Sequence, residues 1–272
     1  MGKLVNLMKI PKIIHYCWFG GKEIPANLRT YMDTWYEKMP GWEVRAWTEE
    51  NFSIADAPLY VRQAYETRKF AFVSDYVRLW ALEQCGGVYF DTDVEVIRSF
   101  DLLPEFKEEF TNSPILERVS AFIGFEESKA KTLGTNVIGC EPHCAWVREM
   151  LDYYDKTPFI REDGSMDMTA NSKLIARLME EYGLVRNGKE QIITITNHRS
   201  PITNQVETLH VYDYHVFSPI TSTRVMRKNK NTFSIHHCYG SWTSGSRGNR
   251  FRNSAIVREI VNALIQIKRL FE

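Results

Sequence analysis

The chain has 272 residues, with 34 Lys plus Arg against 34 Asp plus Glu, so its formal net charge is zero. That balance argues against a protein held to nucleic acid by bulk charge, because such binding draws on excess Lys and Arg against phosphates. The length is enough for a sizeable core, and no low-complexity tract, linker or repeat divides the chain, so a single domain over 1–272 is expected.

The opening MGKLVNLMKIPK has no apolar stretch and no cleavage site of the secretory kind. Asn6 stands where myristoylation needs Ser or Thr. No run of 18 apolar residues is present, so no membrane-spanning helix is expected. Ile10 to Trp18 is apolar, β-branched and aromatic and ends at Phe19-Gly20-Gly21, which reads as a buried first strand. Trp42 to Trp47 alternates and reads as a second strand. Phe70 to Cys85 carries apolar residues at helical spacing, with Gly86-Gly87 as the stop. Val88 to Ile97 reads as one continuous strand. Val137-Ile138, Gln191 to Thr196 and Thr232 to His237 are further strand candidates. Ala145 to Tyr154 and Thr169 to Tyr182 read as helices. Asn253 to Phe271 reads as a last helix, whose apolar face packs on the domain or, as the second reading, on a membrane surface. Helix, glycine pair and strand in that order give an α/β class.

The five cysteines are scattered, which fits reduced thiols. Cys140-Glu-Pro-His143-Cys144 has the look of a metal knuckle, but the second ligand pair of a structural zinc site is missing. Buried thiols are the expected reading.

The chemistry concentrates in Ser74 to Glu95. On a continuous strand Tyr89, Asp91 and Asp93 share one face. Two carboxylates on a buried strand repel each other and lose hydration, so they call for a cation or a shared proton. Oxygen donors suit hard divalent ions. Asp75 and Arg78 are three apart on the preceding helix and share a face; a surface ion pair is the plain alternative, and a border to the same pocket the functional one. His15 reads as structural. His236 and His237 are adjacent, so on a strand they face opposite ways.

Four blocks in order now carry a resemblance: Ile10 to Gly21, Ser74-Asp75-x-x-Arg78, Gly86-Gly87-Val-Tyr89-Phe-Asp91-Thr-Asp93, and Ile235-His236-His237-x-x-x-Ser241-Trp242. Together they resemble glycosyltransferase family 32, which groups bacterial capsule and lipopolysaccharide sugar transferases with fungal mannosyltransferases. The spacing of Asp75, Arg78, Tyr89, Asp91 and Asp93 is also similar to the glucosylating domains of large clostridial toxins. The middle of the chain, about 100–230, matches only loosely.

The resemblance implies an α/β glycosyltransferase A-type nucleotide-binding sandwich with helical insertions, residues 1–100 on the nucleotide-sugar side and 101–272 on the acceptor side. It implies a retaining hexosyltransferase with a nucleotide-diphosphate sugar donor, a UDP-sugar favoured, and a polysaccharide or lipid-linked saccharide acceptor in capsule or lipopolysaccharide synthesis. Mn²⁺ is the implied cofactor, with Mg²⁺ as the alternative. Asp93 and His236 would be the metal ligands, His237 remaining the alternative to His236. Asp91 and Asp93 would be the catalytic carboxylates. Trp18, Asp75, Arg78, Tyr89, Asp91, Ser241 and Trp242 would hold the donor. Asn136 and the Ser200-Pro201-Ile202-Thr203 turn are looser sugar contacts, and the basic segment Arg224 to Lys230 is a solvated loop or an anion contact. A cytoplasmic location, peripheral at the inner membrane face, goes with this reading. Two other readings stay open. Asp91 and Asp93 on alternate strand positions, about 6.5–7 Å apart, would suit an inverting hydrolase. A non-catalytic nucleotide-sugar-binding protein is the third.

Overall fold

The computed structural model describes residues 9–107, 119–126, 132–196, 207–220 and 225–239. Its centre is a seven-stranded mixed sheet, built from β1 (Ile13–Cys17), β2 (Glu43–Trp47), β3 (Gly87–Phe90), β5 (Ala121–Phe125), β6 (Leu133–Cys140), β7 (Gln191–Ile195) and β8 (Glu207–Tyr212) in the order β2-β1-β3-β6-β5-β8-β7. β1 pairs in parallel with both β2 and β3, while β6 runs antiparallel to β3 and β5. A separate antiparallel pair joins β4 (Val94–Val96) to β9 (Ser234–His236), with Val94 opposite His236. The α/β class read from the sequence is the class of the structure.

Strand alternation sorts the core into two layers. Tyr89 packs on one face of the sheet, with α2 (Leu59–Glu66), α3 (Phe70–Cys85), α4 (Ala145–Lys156) and α5 (Asn171–Glu181). Val88 and Phe90 pack on the other, with α1 (Ala26–Lys38) and α6 (Tyr214–Phe217). Trp35 of α1 is fully buried there, and its indole N–H donates to the Val94 carbonyl at 2.7 Å. The Val96 N–H donates to the Thr34 hydroxyl at 2.9 Å, so α1 carries β4 as well.

The stop of α3 falls where the sequence put it. Gly86 and Gly87 have φ of 61° and 101°, a region that side chains disfavour. A Cβ on Gly86 would lie 2.6 Å from Pro142, and one on Gly87 would lie 2.6 Å from the Ile13 carbonyl. The pair lets the chain turn from α3 straight into β3, against β1.

One expectation needs correction. Val88 to Ile97 is two strands. β3 ends at Phe90, and Asp91-Thr92-Asp93 turns the chain into β4, closed by the Val94 N–H on the Asp91 carbonyl at 3.0 Å. Short polar side chains favour such a turn, and it spares the two carboxylates burial within a ladder. The helices Ala26–Lys38 and Leu59–Glu66 and the strands Ala121–Phe125 and Glu207–Tyr212 are additions to the elements read from the sequence. The segment 253–271, read as a helix, lies outside the described residues. Among the described residues, no helix is long and apolar enough to cross a membrane.

Candidate functional site

The site forms at the turn after β3. Asp91, Asp93 and His236 each offer one donor atom, and these atoms lie within 4.8 Å of one another. His236 arrives on β9, facing Val94 of β4. Its Nε2 stands 3.3 Å from Asp93 Oδ1 and 3.8 Å from Asp91 Oδ2. Backbone donors fix the turn: the Asp91 N–H donates to the Asn136 carbonyl at 3.0 Å, the His237 N–H to the Asp93 carbonyl at 3.0 Å, and the Tyr239 N–H to Asp93 Oδ2 at 2.6 Å.

The electrostatics favour an ionised carboxylate at Asp93. Burial opposes its charge, but His236 and the Tyr239 N–H outweigh burial and hold the carboxyl at about 2. Burial likewise opposes a charged ring at His236, and Cys238 and Asp93 outweigh it, raising His236 well above the ordinary histidine range. Two carboxylate oxygens and one imidazole nitrogen fit a divalent ion of the Mn²⁺ or Mg²⁺ kind. The nitrogen shifts the preference toward Mn²⁺, since Mg²⁺ prefers oxygen alone.

Beside this trio lies a buried charge network. Arg78 reaches Asp75 at 3.1 Å and Asp91 at 3.4 Å. Its other donors go to the Ser74 carbonyl at 3.2 Å and the Thr135 carbonyl at 2.8 Å. The guanidinium lies 4.6 Å from the centre of the Tyr89 ring, and the Tyr89 hydroxyl donates to Asp91 at 3.0 Å. The surface-pair reading of Asp75 and Arg78 is therefore set aside, because their side chains are only 13% and 6% exposed. Tyr89 is buried and meets the site through Arg78 and Asp91.

One guanidinium serves two carboxylates, and Asp75 is the one left short. Burial raises its carboxyl to about 6, against the pull of Arg78 and the Asn171 N–H. The folded state thus holds a proton there that the unfolded chain has released above about pH 4. Stability from this group is complete below about pH 4 and is lost as pH rises through about 6. Asp75→Asn removes that dependence. The thermal midpoint of wild type minus that of the variant should fall across this window, and a flat difference would show that Asp75 keeps its unfolded-state titration.

The remaining candidates are placed as follows. Trp18 comes directly after β1, on the sheet edge where β3 also ends, and its indole donates to the Lys22 carbonyl at 2.5 Å. Asn136 is buried on β6; its Oδ1 accepts from the Ser218 hydroxyl at 3.4 Å, and its Nδ2 is without a partner among the described residues. His237 turns away from the trio, bonding Glu95 at 2.8 Å and stacking on Tyr31 at 3.9 Å between ring centres. Of the two histidines, His236 is the one at the site. His236→Ala should abolish Mn²⁺ binding while His237→Ala retains it, as measured by metal titration; equal loss in both would reject the assignment. His15 is structural: it bonds the Gly86 carbonyl at 2.8 Å and Trp47 at 3.1 Å, and burial lowers its pKa to about 4. In the Cys140 to Cys144 segment, Cys144 bonds Glu207 at 3.4 Å and His143 pairs with Glu83 at 3.3 Å. Ser241, Trp242, the Ser200 to Thr203 turn and Arg224 lie outside the described residues.

Sequence reasoning missed the contribution of α5. The Asn171 N–H donates to Asp75 from the first position of that helix. Cys17 was missed too: burial raises its thiol pKa, with Arg78, Asp91 and a hydrogen bond to Tyr89 as further influences. Backbone donors leave no pattern in a sequence, and the Cys17 contact needs the β1–β3 register. One carboxylate oxygen of Asp91 and one of Asp93 lie within 4.8 Å of each other, closer than the alternate positions of a continuous strand would set them.

The sequence around this site is similar to known proteins. Residues 25–110 match the family model described as a glycosyltransferase sugar-binding region containing a DXD motif. The match begins before α1 and includes the turn with Asp91 and Asp93, and it covers less than half of the chain. The chain is similar to inositol phosphoceramide mannosyltransferase 3 of Schizosaccharomyces pombe, 34% identical over 98 residues. That alignment covers 35% of this chain and 27% of the relative. Among solved structures it is similar to the PaToxG glycosyltransferase, with TM-score 0.40, 20% identity and coverage of 53% and 60% of the two chains. It is also similar to a glycosyltransferase involved in glycosylation of the major capsid of PBCV-1, with TM-score 0.39, 13% identity and coverage of 84% and 94%. At such scores these two likenesses carry no weight for the site.

Proposed function

We propose that the protein is a metal-dependent retaining glycosyltransferase of family 32, with an A-type sandwich as one domain. The carrying observation is the convergence of Asp91, Asp93 and His236 beside the buried Arg78–Asp75 pair. Asp93 and His236 would hold the cation, and Asp91 lies between Arg78 at 3.4 Å and His236 at 3.8 Å. A divalent ion held there supplies Lewis-acid stabilisation of the charge left on a departing diphosphate. Asp75 and Arg78 orient hydroxyls of the donor sugar. Such orientation lowers barriers by up to roughly 7–11 kcal/mol in the best intramolecular cases. Trp18 supplies a flat apolar surface for the nucleotide base, and the family resemblance assigns Ser241 and Trp242 to the donor diphosphate.

The donor in this reading is a nucleotide-diphosphate sugar, with UDP favoured. The mannosyl transfer in the yeast relative's name brings GDP-linked donors into the same screen. The acceptor is a polysaccharide or lipid-linked saccharide of capsule or lipopolysaccharide synthesis, and the enzyme works in the cytoplasm at the inner membrane face.

The test is a thermal-shift screen of nucleoside diphosphates and their sugars, with and without Mn²⁺. A ligand at 100 times its dissociation constant stabilises by about 2.7 kcal/mol. A shift with one nucleotide that requires Mn²⁺ supports the proposal and names the donor class. No shift with any nucleotide, or shifts indifferent to metal, rejects it.

A further inference from the structure

The ring of Trp18 is presented rather than packed. Trp18 is half-buried, and among the described residues it belongs to neither layer of the core. Its neighbours Cys17 and Phe19 are both buried in the layer with α3. Strand alternation sends them one way and Trp18 the other.

The turn that carries the ring, residues 18–22, is tied down. The Trp18 backbone N–H donates to the Trp47 carbonyl at 2.9 Å, and its indole N–H reaches the Lys22 carbonyl. Gly20, at the centre, has a φ of 98°, and a Cβ there would run into the Phe70 ring. The Gly20 N–H donates to Glu49 Oε1 at 2.7 Å. The same oxygen accepts from the Tyr65 hydroxyl at 3.0 Å, and the Tyr65 ring meets Phe70 edge-on, 5.5 Å between centres.

Glu49 is itself fixed. It lies in the turn after β2, where the Thr48 N–H donates to Asn51 Oδ1 at 2.9 Å and Asn51 Nδ2 donates to the Ala46 carbonyl at 2.7 Å. Phe52, whose N–H donates to the Thr48 carbonyl at 3.0 Å, meets Phe19 edge-on at 6.3 Å. The β2 turn and α2 thus converge on the backbone of the Trp18 turn through one carboxylate. Its two bonds come from neutral donors, and a charged acceptor makes them stronger than neutral pairs.

We infer that Glu49 is a positioning residue for donor binding: with Tyr65 it holds the 18–22 turn in one conformation, so that Trp18 meets the nucleotide base already ordered. The inference rests on the glycosyltransferase reading, in which Trp18 lies against that base. A ring fixed beforehand loses less freedom on binding, and affinity gains accordingly. The effect falls on the nucleotide and not on the cation. Among the described residues, the hydrogen bonds of Glu49 go to Gly20 and Tyr65 and to none of Asp91, Asp93 and His236.

The experiment titrates Mn²⁺ alone, and UDP or GDP with Mn²⁺, into the full chain and into Glu49→Ala, Glu49→Gln, Trp18→Ala and the Glu49→Ala, Trp18→Ala pair, with an unfolding curve for each. Glu49→Ala should weaken nucleotide binding about tenfold and leave Mn²⁺ binding unchanged. Glu49→Gln should stay within about threefold of wild type, since its amide oxygen still accepts both bonds. In the Trp18→Ala background the Glu49→Ala loss should vanish, because a residue that acts through the ring then has nothing to position. Should Glu49→Ala fail to fold, Tyr65→Phe carries the same comparison, with a loss of about threefold expected only where Trp18 is present. Undiminished nucleotide binding, an equal loss with and without Trp18, or a loss that takes Mn²⁺ binding with it overturns the positioning role and leaves the glycosyltransferase reading standing. Absence of nucleotide binding in wild type overturns both.

Discussion

Asp93→Asn is expected to lower sugar transfer and Mn²⁺-dependent nucleotide binding by more than about 100-fold, with the fold retained. Groups one step removed from a metal typically cost about 10–100-fold when lost, and a direct ligand costs more. The substitution is mild for the structure, because the amide keeps an acceptor for the Tyr239 N–H that Asp93 Oδ2 holds at 2.6 Å. What it removes is the charge that His236 and a cation both need. The loss is expected in both binding and turnover, since the same oxygen pair serves both. Isothermal titration with Mn²⁺ and nucleotide, beside an unfolding curve, separates a lost site from a lost fold. Undiminished transfer in a folded Asp93→Asn protein would reject the metal reading and the role of the whole trio.

Arg78→Leu should destabilise the protein by about 3–5 kcal/mol, the usual consequence of leaving buried charge uncompensated. The side chain is 6% exposed and makes four directed contacts, to Asp75, Asp91 and the carbonyls of Ser74 and Thr135. Leucine fills part of the space and satisfies none of them. At about 2–4 °C per kcal/mol for domains of 150–250 residues, the thermal midpoint should fall by on the order of 10 °C. Arg78→Leu with Asp75→Asn should recover part of that loss, because the buried carboxylate least supported by other partners is then gone. A midpoint within about 2 °C of wild type for the single variant would mean that solvent reaches the network and the pair contributes little.

Much of this site can be read in the chain, and the reasons are specific. The helix Phe70–Cys85 is legible because its apolar spacing is regular and its end is written as Gly86-Gly87. Asp75 and Arg78 share a face by that spacing, and the structure joins them. The strand through Asp91 and Asp93 is half right. Alternation holds as far as Phe90 and then fails, because the chain leaves the seven-stranded sheet for the β4–β9 pair. No local pattern announces that departure, since Val94 to Val96 is as strand-like as Val88 to Phe90. The carboxylates still converge, by a turn where alternation was expected. The choice of His236 over His237 follows from alternation on β9 and from the register that sets His236 against Val94. The cap that α5 places on Asp75, and the carbonyls that hold Arg78, belong to backbone atoms brought from elsewhere. They are invisible until the fold is known.

The pairing of β4 with β9 has a consequence for how the protein comes into being. Asp91 and Asp93 leave the ribosome early, yet His236 follows more than half the chain later, on the last strand of the described residues. Closing a loop of that size is slow, and contacts of long sequence separation form late. During synthesis the two aspartates therefore wait as an incomplete, negatively charged turn. The centre assembles only when the far end of the sheet system docks on β4. Competence for chemistry is then a late checkpoint of folding: a chain interrupted before Ser234 can hold most of the large sheet and still lack the third donor.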